Sequence, residues 1–176
     1  MSVSTLHPAD RDGPRTVDAS GIGSVDRTDA RILRELESEP RSTVMALSQQ
    51  LGLSRNTVQA RLTRMETDGV LRGFGSRVEP ASLGYPIAAI VTVVVRQQML
   101  TEVSLALAEV PEVLEVLGMA GPTDLLVRVV ASDADDLYRI AAQILAMDGV
   151  DRTDTALVMR RLVEYRIGPL LDRIAE

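Results

Sequence analysis

Arg55, Asn56, Gln59 and Thr63 are four side chains on one short segment that can address nucleic-acid bases. Asn and Gln can pair bidentately with adenine and Arg with guanine, through the edges exposed in the major groove. Val58, Leu62 and Met65 follow each other at i, i+4, i+7 and define the opposite, core-facing stripe of the same helix. Around this face stand Thr43, Thr57, Arg61, Arg64, Arg72 and Arg77, donors suited to phosphate oxygens. Phosphate contacts position a protein on the duplex without reading its sequence. Taken by itself, a polar helix face of this kind also reads as an ordinary solvated surface.

A second constellation is Gly121-Pro122-Thr123-Asp124. Backbone N–H groups at a glycine bend can hold a carboxylate, and the Asp124 carboxylate can hold an ammonium. Those are the two charged groups of a free amino acid. From spacing alone the same four residues read as a β-turn, where Gly, Pro and Asp are all common.

Composition removes other chemistries. The chain of 176 residues has no Cys, which excludes disulfides, thiolate metal sites and Cys nucleophiles, and its single His lies at position 7. We therefore expect no catalytic residues, no metal and no cofactor. Aromatic residues make up only 2 %, so cores must be aliphatic and base stacking on aromatic platforms is not expected. No apolar run reaches membrane-spanning length, and the first residues lack a basic stretch followed by an apolar one. The expectation is a cytoplasmic protein with no membrane partner. Net charge is −6, which at first sight argues against nucleic acid, but the distribution matters more. Residues 41–78 hold six Arg against Glu66 and Asp68, a net +4, which leaves −10 for the remainder. All 19 basic residues are Arg, so every cationic phosphate contact must come from a guanidinium.

These groups need elements to hold them. Residues 1–24 mix Pro, Gly, Ser, Asp and Arg without periodicity and read as a flexible tail. Asp26 can cap a helix carrying Ile32, Leu33 and Leu36 on one face and ending before Pro40. Two helices follow near 43–51 and 54–67, broken at Gly52, with Ser54 at the second N-cap. That is the pattern of a helix-turn-helix, whose second helix enters the major groove. Leu71–Val78 reads as a small hairpin or wing, closing a DNA-binding domain over 25–78. Residues 79–86 form a linker.

Beyond it the periodicity changes. Ile87–Arg96 is a β-branched strand, Thr101–Val110 a helix, and Val113–Met119 and Asp124–Ala131 are strands. A helix marked by Leu137, Ile140, Ala141, Ile144 and Leu145, capped by Ser132 or Asp133, precedes a strand at Thr153–Arg160. The order βαββαβ over 87–165 is a ferredoxin-like split unit, so the fold class is α+β. Residues 166–176 form a C-terminal tail, with a short helix at Gly168–Glu176. Apolar residues on both faces of the first strand imply two covered faces, one against the domain's own helices and one against a partner's sheet.

Three stretches, VDRTDARILREL, LGLSRNTVQARLTRMETDGVLRGF and GMAGPTDLLVRV, occur in this order, and the chain over about 25–165 resembles the leucine-responsive regulator/AsnC (feast/famine) family of transcription regulators. The resemblance implies a winged helix-turn-helix joined by a hinge to a ferredoxin-like effector domain. It implies double-stranded DNA, a small amino acid or related metabolite and further copies of the chain as partners. The assembly would be a dimer or higher, an octamer among the candidates. It also implies an effector pocket at Met119, Ala120, Gly121, Pro122, Thr123, Asp124 and Leu125. Thr153, Asp154 and Thr155 of a neighbouring subunit would close that pocket. One departure is Ser48, where such turns usually carry Ala. Two rival functions follow from the same architecture. One is a ligand-independent architectural DNA-binding protein. The other is a haem-precursor decarboxylase-like enzyme, which the lack of Cys and of any His beyond the tail disfavours.

Overall fold

The computed structural model describes residues 23–71 and 78–176. Residues 1–22 of the expected tail over 1–24, and residues 72–77 of the expected wing over 71–78, with Arg72 and Arg77, lie outside the described residues. The chain forms two compact units, one built on residues 78–161 and the other on the N-terminal helices together with the C-terminal segment from Leu162.

The helical unit contains α1 (Arg27–Ser38), α2 (Val44–Leu51) and α3 (Arg55–Thr67). Each begins at a side-chain cap. Asp26 accepts the Asp29 N–H at 2.9 Å while the Asp29 carboxylate accepts the Asp26 N–H at 3.0 Å, a reciprocal capping box. Thr43 Oγ1 accepts the Ala46 N–H and Ser54 Oγ accepts the Thr57 N–H, both at 3.1 Å. Gly52 ends α2 at φ 66°, ψ 32°, a left-handed conformation that a side chain disfavours. Ser48 is buried in the turn, and its hydroxyl donates to the Met45 carbonyl at 2.8 Å, so the extra polar atom is satisfied locally. Ala30, Ile32, Leu33, Leu47, Leu51, Val58 and Met65 form the core of this unit.

The same core takes in Leu171 of the last helix, α6 (Gly168–Ala175). The Glu37 carboxylate accepts the Gly168 N–H at 3.1 Å, placing an anion at the α6 N-terminus, and Arg34 pairs with Asp172 at 2.8 Å. Arg27 donates to the Ala175 carbonyl at 2.8 Å at the other end. A lone helix of about 8 residues is unstable in water, so these contacts are what fold it.

The second unit begins with a short 3₁₀ turn at Pro80–Leu83 and continues as β1 (Ile87–Val95), α4 (Leu100–Ala108), β2 (Val113–Gly118), β3 (Leu125–Ala131), α5 (Ala134–Leu145) and β4 (Val150–Leu157). The sheet order is β2-β3-β1-β4, antiparallel throughout. Helix α5 is capped by Asp133, whose carboxylate accepts the Asp136 N–H at 2.8 Å. Val91, Val93, Val127 and Val129 meet Val103, Leu107, Ile140 and Ile144 in one aliphatic core. The last strand starts three residues before the expected Thr153 and ends at Leu157. Gly149, at φ 93°, turns the chain straight into pairing with β1, where a bulge at Val94/Val95 takes up the register. A Cβ at Gly149 would lie 2.6 Å from the Met99 Cβ, so the turn needs glycine on both counts.

The opposite face of this sheet carries Ile90, Leu126 and Leu117 across neighbouring strands, with Arg128 paired to Glu115 at 3.2 Å among them. Leu117 is 41 % exposed. Among the described residues, no helix of this unit covers that face.

Candidate nucleic-acid interface and effector loop

Helix α3 presents Arg55, Asn56, Gln59, Ala60 and Thr63 to solvent, while Val58 and Met65 are buried beneath them. Gln59 donates to Thr63 Oγ1 at 3.4 Å, a weak link that ties two adjacent polar ends on this face. Asn56 lies two residues inside the Ser54 cap, in the first turn of α3. Thr43 is exposed at the start of α2, and Thr57 shares a 2.8 Å hydroxyl contact with Ser54.

Arg61 and Arg64 lie on the flank of α3 that faces α1. Arg61 donates to Asp26 at 2.6 Å and to Asp29 at 2.8 Å, and Arg64 pairs with the other Asp29 oxygen. With Ser24, Thr57 and Ala60 these groups line an open hollow of about 380 Å³. The Arg61 hydrogen bond, with the Asp29 N–H, holds the Asp26 carboxyl down at about 2. Burial pushes the Asp29 carboxyl up, but the Asp26 N–H and the two guanidiniums outweigh it and keep it below the ordinary range. No buried side-chain polar atom lacks a partner among the described residues.

A folded carboxyl with a depressed pKa adds stability that is complete above its ordinary value and lost as pH falls through the folded value. For Asp26 that window runs from 3.8 down to about 2. Asp26→Asn is therefore expected to flatten the fall in stability across this window and leave the slope near neutrality unchanged. Urea midpoints measured against pH check this.

The candidate effector loop joins β2 to β3. Met119, Ala120, Gly121 and Pro122 are exposed, and Thr123 and Asp124 are half-buried. Gly121 has φ 139°, a conformation that L side chains rarely adopt. The Met119 N–H donates to the Asp124 carbonyl at 2.8 Å and closes the loop. Asp124 is anchored twice to β1: its N–H donates to the Val93 carbonyl at 3.0 Å, and its carboxylate accepts the Val95 N–H at 2.9 Å. Leu125 is buried in the aliphatic core.

Thr153, Asp154 and Thr155 lie on β4, two strands from β3 and so roughly 10 Å away. Leu125 and Thr153 both pair with Val93, in one cross-strand row on the helix-covered face. Asp154 is on the opposite face, where it meets Arg152 at 3.3 Å. Within one chain, then, the loop and the β4 residues do not converge on a common cavity. Sequence reasoning missed Asp29; an acid four residues before Leu33, on the buried side of an amphipathic helix, was its available signal.

A helix-turn-helix unit and a βαββαβ unit on one chain define a DNA-binding regulator with its own sensor domain. The description "Winged helix-turn-helix DNA-binding" matches residues 25–72, and "Lrp/AsnC ligand binding domain" matches residues 88–167. The proline dehydrogenase transcriptional activator of Rhodobacter capsulatus is 34 % identical over 144 residues, covering 80 % of this chain and 94 % of the relative. The structure of AsnC from E. coli superposes with a TM-score of 0.73 at 23 % identity, over 84 % of this chain and all of that one. A feast or famine regulatory protein of M. tuberculosis, complexed with L-methionine, gives 0.72 at 26 % identity, over 81 % and 97 % of the two chains. The chain belongs to the Lrp/AsnC family of transcription regulators. It is a DNA-binding regulator with a ligand-binding domain. Among the described residues no helix is long and apolar enough to cross a membrane, and no group of acidic and imidazole side chains could hold a metal ion.

Proposed function

We propose that α3 reads base edges with Arg55, Asn56, Gln59 and Thr63, and that an amino acid bound at Met119–Leu125 adjusts DNA binding. Thr43, Thr57, Arg72 and Arg77 contact phosphates around the reading helix. The observation that carries the reading is the α3 face itself: exposed polar side chains over a buried apolar stripe, behind a turn set by Gly52 and Ser54. The acidic sheet unit carries the sensor, and the methionine complex of the M. tuberculosis relative supports an amino acid as its ligand.

The open sheet face, with Ile90, Leu126 and Leu117, is where a second copy packs, making the chain at least a dimer in the cytoplasm. In that assembly Thr153, Asp154 and Thr155 of one subunit approach the loop of another. The carboxylate of a free amino acid meets backbone N–H groups near Gly121, and its ammonium meets Asp124.

Asp124 has a second task, because its carboxylate also accepts the Val95 N–H. Two substitutions separate the tasks. Asp124→Asn keeps an oxygen for Val95 and removes the charge. It is expected to weaken methionine binding by about 2 kcal/mol, roughly thirtyfold, with little change in thermal stability. Asp124→Ala is expected to lose both. Calorimetry with methionine beside a thermal melt reads the two effects. An undiminished amino-acid response in both variants places the pocket elsewhere.

A further inference from the structure

The reading helix carries two arginines that ought to attract phosphates, yet both are already engaged. Arg61 and Arg64 stand one helical turn apart on the flank of α3 and converge on the two oxygens of one carboxylate, Asp29. Asp29 is 0 % exposed, whereas the Arg64 side chain is 40 % exposed. The carboxylate belongs to the first turn of α1, where the Asp26 N–H fixes it as part of the capping box. A buried anion held from one helix and gripped twice from another fixes how far α3 can roll about its axis. The position of Asn56 and Gln59 in a groove depends on that roll.

We propose that Asp29 is a specificity-determining positioning residue, which holds Arg61 and Arg64 against α1, sets the roll of α3 and keeps both cations off the DNA backbone. The proposal rests on α3 being the reading helix. Every cation near a duplex adds affinity for all sequences equally, by releasing counterions. Binding two of them internally lowers that indiscriminate term while the base-reading face keeps its pose. Arg61 has a second carboxylate in Asp26 at 2.6 Å. Beyond Asp29, the one further carboxylate that Arg64 meets among the described residues is Asp68 at 3.6 Å, beside a long 3.4 Å bond to the Ser24 carbonyl, so Arg64 is the cation that loss of Asp29 sets free.

The test uses the full chain and two duplexes. One is an operator selected from random-sequence DNA by the wild-type protein, and the other is a scrambled duplex of the same length and composition. Asp29→Asn keeps the side-chain volume and an acceptor for the Asp26 N–H but removes the charge. It is expected to bind the scrambled duplex several-fold more tightly and to steepen the salt dependence by about one per subunit. The ratio of operator to scrambled affinity should fall about tenfold. A merely structural role predicts instead that both affinities fall together with no change in salt slope, and that result overturns the proposal. Arg64→Ala removes the clamp at an exposed site and decides the matter if Asp29→Asn fails to fold. The proposal expects a lower ratio with an unchanged salt slope. A slope reduced by about one per subunit would make Arg64 a phosphate contact and refute it. Replacing Asn56 and Gln59 together by Ala is the control on the underlying reading: if base preference survives that double change, α3 is not the reader, whatever Asp29 does.

Discussion

Replacing Asn56 and Gln59 together by Ala is expected to erase the preference for operator over scrambled DNA while leaving weak, salt-sensitive binding in place. Each bidentate base contact contributes about 1–3 kcal/mol of discrimination, and the proposed dimer, if symmetric, makes every contact twice. The double change therefore removes most of a specificity that in comparable proteins spans about 4–10 kcal/mol. Neither residue is buried, so thermal stability should hold. Fluorescence anisotropy on both duplexes at two salt concentrations reads the outcome. Retained preference in the double variant would move base reading off α3.

The second large effect is expected at the other end of the chain. Leu171 is only 5 % exposed and belongs to the core under α1 and α3. Leu171→Ala should cost about 2–5 kcal/mol, the range for emptying a buried leucine site. Because this core supports α3, the proposed reading helix, DNA binding should fail at a lower temperature than in the wild type. Denaturation followed alongside DNA binding measures both. A change below about 0.5 kcal/mol, the scale of an exposed site, would mean that α6 does not seal this core in solution.

The contrast between these two predictions follows what local chemistry can and cannot convey. The helix-turn-helix was legible because its signals are backbone signals: Gly52 where φ is positive, Ser54 where an N–H needs an acceptor, and apolar residues at helical spacing. The βαββαβ order was legible for a similar reason, since Ile87–Val95 is a β-branched run and Asp133 announces α5. The docking site of α6 was not. Eight residues with apolar positions at Leu170, Leu171 and Ile174 call for a partner without saying which. The Asp29 clamp joins residues 32 and 35 positions apart, which no local pattern links. For the effector loop, the chain showed a glycine bend and an acid, but not that Asp124 is anchored to Val95 or that Leu125 turns into the core. Those depend on the register of β3 against β1, a tertiary property.

An amino acid bound to the sheet unit is expected to change how the helical unit holds DNA. Coupling between two sites is reciprocal, so it can be measured from both ends. Calorimetry of the full chain with free amino acids, methionine first, is run alone and then with the selected operator bound. At least one amino acid is expected to bind, operator affinity to change when it does, and amino-acid affinity to change by the same factor when the operator is present. An amino acid that binds equally well with and without the operator, or a protein that binds none of the twenty, would contradict it.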